Sequence, residues 1–104
     1  MFDLLLKNGD VYDGSGRVVC GQDIAIQDGM IVDIGKNLTG IAQHTIDASG
    51  LIVSPGFIDM HTHSDFTLIA DGRAESQVHQ GVTTEVIGQC GISCAPVVSK
   101  DSIK

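Results

Sequence analysis

The stretch Pro-Gly-Phe-Ile-Asp-Met-His-Thr-His at residues 55–63 combines a strand signal with two possible metal ligands. The Pro-Gly pair ends the preceding element, and Phe57–His61 is a mostly apolar run, typical of a buried parallel strand. His61 and His63 are two residues apart, so on an extended chain both imidazoles lie on one face. The stretch therefore predicts a strand whose end presents two nitrogen ligands to one ion.

A second apolar run, Val82–Ile87, leads into a Gly-rich loop that contains Cys90. Between the two runs, residues 64–72 have the composition of a loop and Arg73–Gln80 that of a short helix. The order strand, helix, strand predicts a parallel crossover, and the chemistry of such folds gathers at the carboxyl ends of the strands. We therefore expect Cys90 to lie beside the two histidines, in a ligand set that favours zinc.

Other interpretations of these residues remain open at this point. A His-x-His pair also occurs by chance, and a cysteine in a Gly-rich loop can be a plain buried thiol. Cys90 and Cys94 form a Cys-x3-Cys pair of the zinc-ribbon type, but the sequence has no second Cys pair to complete a ribbon. Because the three cysteines are an odd number and no export signal precedes them, we expect thiol or metal chemistry and no disulfide framework.

The composition excludes several classes of protein. The chain has 104 residues, of which 42% are hydrophobic, as in a globular domain. Its formal net charge of −7 comes from scattered acidic residues, which argues against nucleic-acid binding because that needs clustered Lys and Arg. No run approaches the ~20 apolar residues of a membrane span, and the start of the sequence lacks the features of a secretory signal. We expect a cytoplasmic protein with no membrane partner, and the charge does not identify a substrate.

Residues 1–55 have the pattern of short strands separated by Gly turns. Asn8-Gly9 predicts a hairpin turn, with Val11 and Tyr12 starting the return strand. A later strand over residues 30–34 is predicted to place Met30, Val32 and Ile34 on one face. The expected architecture is a small antiparallel β unit without a ligand cluster. It forms a first domain over residues 1–55, followed by a second over residues 56–104.

The chain resembles the amidohydrolase superfamily and, within it, the N-acyl-D-amino-acid deacylases, or D-aminoacylases. The Pro-Gly-Phe-Ile-Asp-x-His-x-His motif is shared with many amidohydrolases, including hydantoinases and dihydroorotases, whereas Gly-x-Cys-Gly-x-Ser at residues 88–93 is typical of the D-aminoacylase branch. The resemblance extends over nearly the whole chain. It is carried by residues 4–16, 26–35, 46–63 and 80–93.

The resemblance implies an α/β fold with a β-rich N-terminal part. Residues 1–55 would be part of a small β-sandwich, and residues 56–104 the first two strands and first helix of a (β/α)8 barrel. His61, His63 and Cys90 would be zinc ligands for one or two ions, with Asp65 and Asp59 in supporting roles. The reaction would be hydrolysis of the N-acyl amide of an N-acyl-D-amino acid, with the general base expected beyond Lys104 and no catalytic residue within the chain.

A complete barrel needs about 250 residues, so the chain is interpreted as an N-terminal fragment of such an enzyme. Alone, it is expected to be inactive, to bind zinc weakly and to self-associate through open strand edges. One alternative is a cyclic amidase of the dihydroorotase or hydantoinase type, in which a carboxylated lysine usually serves where the D-aminoacylase branch uses the cysteine. The other is a non-catalytic β-rich module used for association.

Overall fold

The computed structural model describes residues 1–93, which form mostly β-strands with few and short helices. The chain divides into two compact units, Met1–Pro55 and a second that begins at Gly56. The first unit contains the strands β1 (Phe2–Tyr12), β2 (Val18–Gln27), β3 (Met30–Gly35), β4 (Ala42–Asp47) and β5 (Ile52–Val53). The second contains β6 (Phe57–Asp59), α1 (Thr67–Ala70), α2 (Glu75–Val78), β7 (Val82–Glu85) and a single 3-10 turn over Gln89–Gly91.

The sheet of the first unit has the strand order β3-β2-β1-β4, and the short strand β5 also pairs with β1. The pairs β1–β2 and β2–β3 are antiparallel, but β4 and β5 run parallel to β1. The prediction of a wholly antiparallel unit was therefore wrong. Residues 36–41 carry the chain from the β3 edge to the opposite edge of the sheet, so β4 enters in the same direction as β1.

The Asn8-Gly9 pair lies within β1 and does not form the predicted hairpin. Asn8 has the left-handed φ of 63° that such a turn needs, but its N–H donates to the carboxylate of Asp23 at 2.9 Å. The strand register shifts on both sides of Gly9, as in a β-bulge. A Cβ on Gly9 would lie 2.6 Å from a methyl group of Val53, so the glycine allows β5 to approach β1.

A second bulge changes the face of β3 that was predicted to be apolar. Ile24 pairs with Ile34 and Ile26 with Ile31, which leaves Val32 as the extra residue. Ile31 and Ile34 therefore share a face, and the predicted set Met30, Val32 and Ile34 was wrong. The shared face borders an apolar groove of about 260 Å³ that Leu6, Val11 and Val53 also line.

The second unit has the predicted parallel pairing, between β6 and β7. The predicted helix is shorter than expected, because Ala74 adopts a left-handed φ of 46° just before α2. At its other end, Gly81 has a φ of 82°, the conformation expected of a glycine that ends a helix. The helix α1 falls in a segment predicted to be a loop. Among the described residues, no helix is long and apolar enough to cross a membrane.

Candidate metal centre

Three side chains predicted to bind metal lie together in the second unit. One ligand atom from each of His61, His63 and Cys90 lies within 4.8 Å of the others, and all three residues are exposed. The Sγ atom of Cys90 is 3.5 Å from Nε2 of His61. The two imidazole rings are 5.5 Å apart between centroids and tilted by 58°.

The histidines lie in the loop after β6, because the strand ends at Asp59, two residues earlier than predicted. The carboxylate of Asp59 accepts the backbone N–H of His61 at 3.0 Å, which fixes the first turn of this loop. The loop also stays beside the end of β7. Val86 donates its N–H to the carbonyl of Asp59 at 2.8 Å, and Thr62 donates to the carbonyl of Val86 at 3.4 Å.

Cys90 occupies a strained turn after β7. Its φ is 56°, in the left-handed region, and both Gly88 at 81° and Gly91 at 76° are also left-handed. A non-glycine residue in this region costs about 1–3 kcal/mol, and such strain is concentrated at functional sites. In this left-handed conformation the Cys90 thiol lies against the histidine loop. The amino-acid sequence alone did not predict this turn.

Asp65, predicted to have a supporting role, lies between the two ligand-bearing loops. It is only 1% exposed, and its Oδ1 accepts the backbone N–H of Gly88 at 2.9 Å. Its other carboxylate oxygen is buried and has no hydrogen-bond partner among residues 1–93. Cys94, the second cysteine of the possible ribbon pair, lies outside the described residues.

The donor set fits a zinc ion. In a tetrahedral site with bonds of about 2.0–2.3 Å, ligand atoms are about 3.3–3.6 Å apart, and the Cys90–His61 distance of 3.5 Å agrees with this spacing. The ligand atom of His63 lies within 4.8 Å of the other two. Three protein ligands with an exposed fourth side are typical of a catalytic zinc site, where water or substrate takes the open position.

Glu85 is a half-buried acidic residue that the sequence pattern did not single out. It pairs in register with Asp59 across the two strands, and both of its carboxylate oxygens are buried without a hydrogen-bond partner in the described part of the chain. The sequence signal that could have identified Glu85 was the presence of one acidic residue inside the apolar run of Val82–Ile87. An ionised group of this kind is costly without a partner.

We expect Glu85→Met to stabilise the 104-residue chain by about 1–3 kcal/mol, because it removes the unpaired carboxylate and keeps the side-chain length. Urea unfolding measures the change. Glu75→Met is the matched control. Glu75 is exposed and forms an ion pair with Arg73 within residues 1–93, so a change of less than about 1 kcal/mol is expected. A less stable Glu85→Met variant would show that the carboxylate has a partner in solution.

Residues 44–100 match the sequence profile of the amidohydrolase family. The chain belongs to this family. The D-aminoacylase of Alcaligenes xylosoxydans is 46% identical over 97 residues, which are 92% of this chain and 20% of that protein. The resemblance inferred from the motifs is thereby confirmed.

Solved structures of amidohydrolases agree with this assignment. A crystal structure of D-aminoacylase aligns with a TM-score of 0.85 and 39% identity, over 95% of this chain and 21% of that one. N-acyl-D-glutamate deacylase from Bordetella bronchiseptica, in complex with zinc and a phosphonate that mimics the tetrahedral intermediate, aligns at 0.84 and 40% identity. That alignment covers 92% of this chain and 20% of the deacylase. The mostly-β fold with few helices thus matches the N-terminal region of these enzymes, and the chain spans about a fifth of their length.

Proposed function

We propose that this chain supplies the first metal ligands of a zinc-dependent enzyme that hydrolyses the amide bond of N-acyl-D-amino acids. The observation that carries the proposal is the cluster of His61, His63 and Cys90 after two neighbouring parallel strands. The substrate class is supported by the similarity to D-aminoacylase and N-acyl-D-glutamate deacylase over more than nine-tenths of the chain.

The same proposal assigns an architecture to each unit. Residues 1–55 form part of a β-sandwich, which is supported by a five-stranded sheet with an apolar groove on one face. Residues 56–104 form the start of a (β/α)8 barrel, its first two strands and first helical segment. The support is the parallel β6–β7 pair with α1 and α2 between the two strands in sequence.

Each residue of the site then has a role that its contacts suggest. His61, His63 and Cys90 hold one or two zinc ions, and Asp59 and Asp65 fix the backbone around them. When bound, zinc polarises the amide carbonyl and lowers the pKa of a bound water to about 7. Because Asp59 and Asp65 already accept backbone N–H groups, neither is assigned as the general base, and we expect the 104-residue chain alone to be inactive.

The test compares the 104-residue chain with any longer product of the same reading frame, both loaded with zinc. Release of a D-amino acid from its N-acetyl derivative is measured beside opening of a hydantoin ring. Deacylation by the longer product, lost in Cys90→Ser, supports the proposal. Ring opening without deacylation would assign a cyclic amidase. Hydrolysis by neither product would overturn the enzyme assignment and favour an association module.

We also propose that the isolated chain pairs with a second copy through β3. This edge strand has one charge, Asp33, and Met30, Ile31, Val32 and Ile34 are all more than half exposed. Exposed apolar edges of this kind pair with other chains.

Val32→Lys, which places a charge on this edge, is expected to keep the chain monomeric at concentrations at which the wild type dimerises. Sedimentation measures the difference. Val18→Lys, at an exposed position of β2 away from the β3 edge, is the control and should dimerise like the wild type. A wild-type chain that stays monomeric at every concentration would contradict the proposal.

A further inference from the structure

We infer that Asp65 and Gln89 are positioning residues that hold the Cys90 turn against the histidine loop before any metal binds. The inference rests on the proposed metal site and adds to it a device that assembles the site. Neither residue is assigned as a ligand.

Asp65 provides the first link between the two loops. It follows His63 by two residues, and its Oδ1 accepts the N–H of Gly88, two residues before Cys90. The two partners are 23 positions apart in the sequence. Asp65 is 1% exposed, so its carboxylate is shielded from water, and a charged acceptor makes the hydrogen bond stronger than a neutral one.

Gln89 provides the second link. Its side-chain Nε2 donates to the carbonyl of Met60 at 3.3 Å, across 29 positions of sequence. Met60 immediately precedes His61, and Gln89 immediately precedes Cys90. Both links therefore hold the backbone just before Cys90. The first joins it to Asp65, two residues after His63, and the second joins it to Met60, one residue before His61.

The left-handed turn explains why such links are needed. Cys90 has a φ of 56°, a conformation that an L-residue leaves unless its surroundings hold it. If the turn relaxed, the thiol would move away from Nε2 of His61, from which it is now 3.5 Å. A metal ion would then have to order the turn when it binds, and part of its affinity would be lost. Partners that orient metal ligands typically contribute 10–100-fold to affinity.

The first measurement needs no metal. In the metal-free 104-residue chain, the amide proton of Gly88 is expected to exchange with solvent at least about tenfold more slowly than in an unstructured peptide. Asp65→Ala is expected to remove this protection. Free exchange of the Gly88 amide in the wild type would overturn the inference, whether or not the chain binds zinc.

The second measurement is a titration with Co²⁺, whose charge-transfer band reports a bond to a thiolate and is assigned to Cys90 if Cys90→Ser removes it. We expect Asp65→Ala to weaken Co²⁺ binding by about 10–100-fold and Gln89→Ala by a smaller factor. Asp65→Asn keeps an oxygen that can accept the Gly88 N–H, although without the charge, so its affinity should lie between those of Asp65→Ala and the wild type. Asp71→Ala is the control. Asp71 also accepts a backbone N–H, that of Arg73, but lies away from both ligand loops.

The outcomes separate the positioning inference from the proposed function. If the wild-type chain shows no thiolate band, the metal site fails, and the Gly88 exchange still decides whether the link exists. If Asp65→Ala binds Co²⁺ like the wild type, the positioning role is wrong and the metal site stands. If Asp65→Asn is as weak as Asp65→Ala, the hydrogen bond is not the cause and the inference fails. If Asp65→Ala does not fold, Gln89→Ala and the wild-type exchange rate decide.

Discussion

Replacing Cys90 with serine is expected to lower the zinc affinity of the chain by at least about 100-fold. Loss of a ligand should cost more than the 10–100-fold typical of the groups that only orient ligands. Serine preserves the size of the side chain, but its neutral hydroxyl is a poor ligand compared with a thiolate. The fold should be unaffected, because the Cys90 side chain is exposed.

Competition with a chromophoric chelator measures this affinity, and Cys20→Ser provides the control. Cys20 is also an exposed free cysteine, but it lies on β2 in the first unit, so its replacement should leave zinc affinity unchanged. Equal affinities for the wild type and Cys90→Ser would mean that the thiol is not a ligand. A loss in Cys20→Ser would mean that zinc binds elsewhere.

The largest effect on stability is expected from Asp23→Ala. The buried carboxylate of Asp23 accepts the N–H of Asn8 at the β1 bulge and that of Leu38 in the connection after β3, both at 2.9 Å. Lys7 lies 3.7 Å from the same carboxylate. Alanine would leave two backbone donors without their acceptor, at a total cost of about 3–5 kcal/mol.

Urea unfolding of Asp23→Ala tests this estimate. The control is Asp33→Ala, which removes a carboxylate from the exposed strand β3 and should change stability by less than about 0.5 kcal/mol. Equal stabilities of the two variants would contradict the structural role of Asp23.

The pH dependence of unfolding gives a separate readout for Asp23. The N–H of Asn8, followed by that of Leu38 and the charge of Lys7, holds the pKa of this carboxyl below its ordinary 3.8, although burial acts in the opposite direction. A group with a lowered pKa in the folded state stabilises the fold fully above its unfolded pKa, and loses that contribution as the pH falls through the folded pKa. Wild-type stability should therefore decline below about pH 4, and Asp23→Ala should show a smaller decline.

The proximity of the three candidate ligands was predictable because it depends on strand order. Two apolar runs separated by a helical segment indicate parallel strands, and the carboxyl ends of parallel strands lie side by side. The structure brings His61, His63 and Cys90 together as expected. It does so through loops, because β6 and β7 each end two residues before the predicted ends at His61 and Ile87.

The features that were not predicted depend on contacts between distant residues. Asn8-Gly9 is a strong hairpin signal by itself, and it becomes a bulge because Asp23, 15 residues away, takes the Asn8 N–H. The left-handed turn at Cys90 likewise accompanies the hydrogen bond from Gly88 to Asp65. A local pattern carries no information on such partners, so bulges and strained turns appear only in the folded chain.

The central claim is that His61, His63 and Cys90 form one metal site. Titration of the 104-residue chain with Co²⁺ tests it most directly, with His61→Ala, His63→Ala and Cys90→Ser measured in parallel. We predict a thiolate charge-transfer band in the wild type that saturates, that zinc displaces, and that each substitution removes or strongly weakens. A wild-type chain without this band, or a band that survives the loss of either histidine, would contradict the claim.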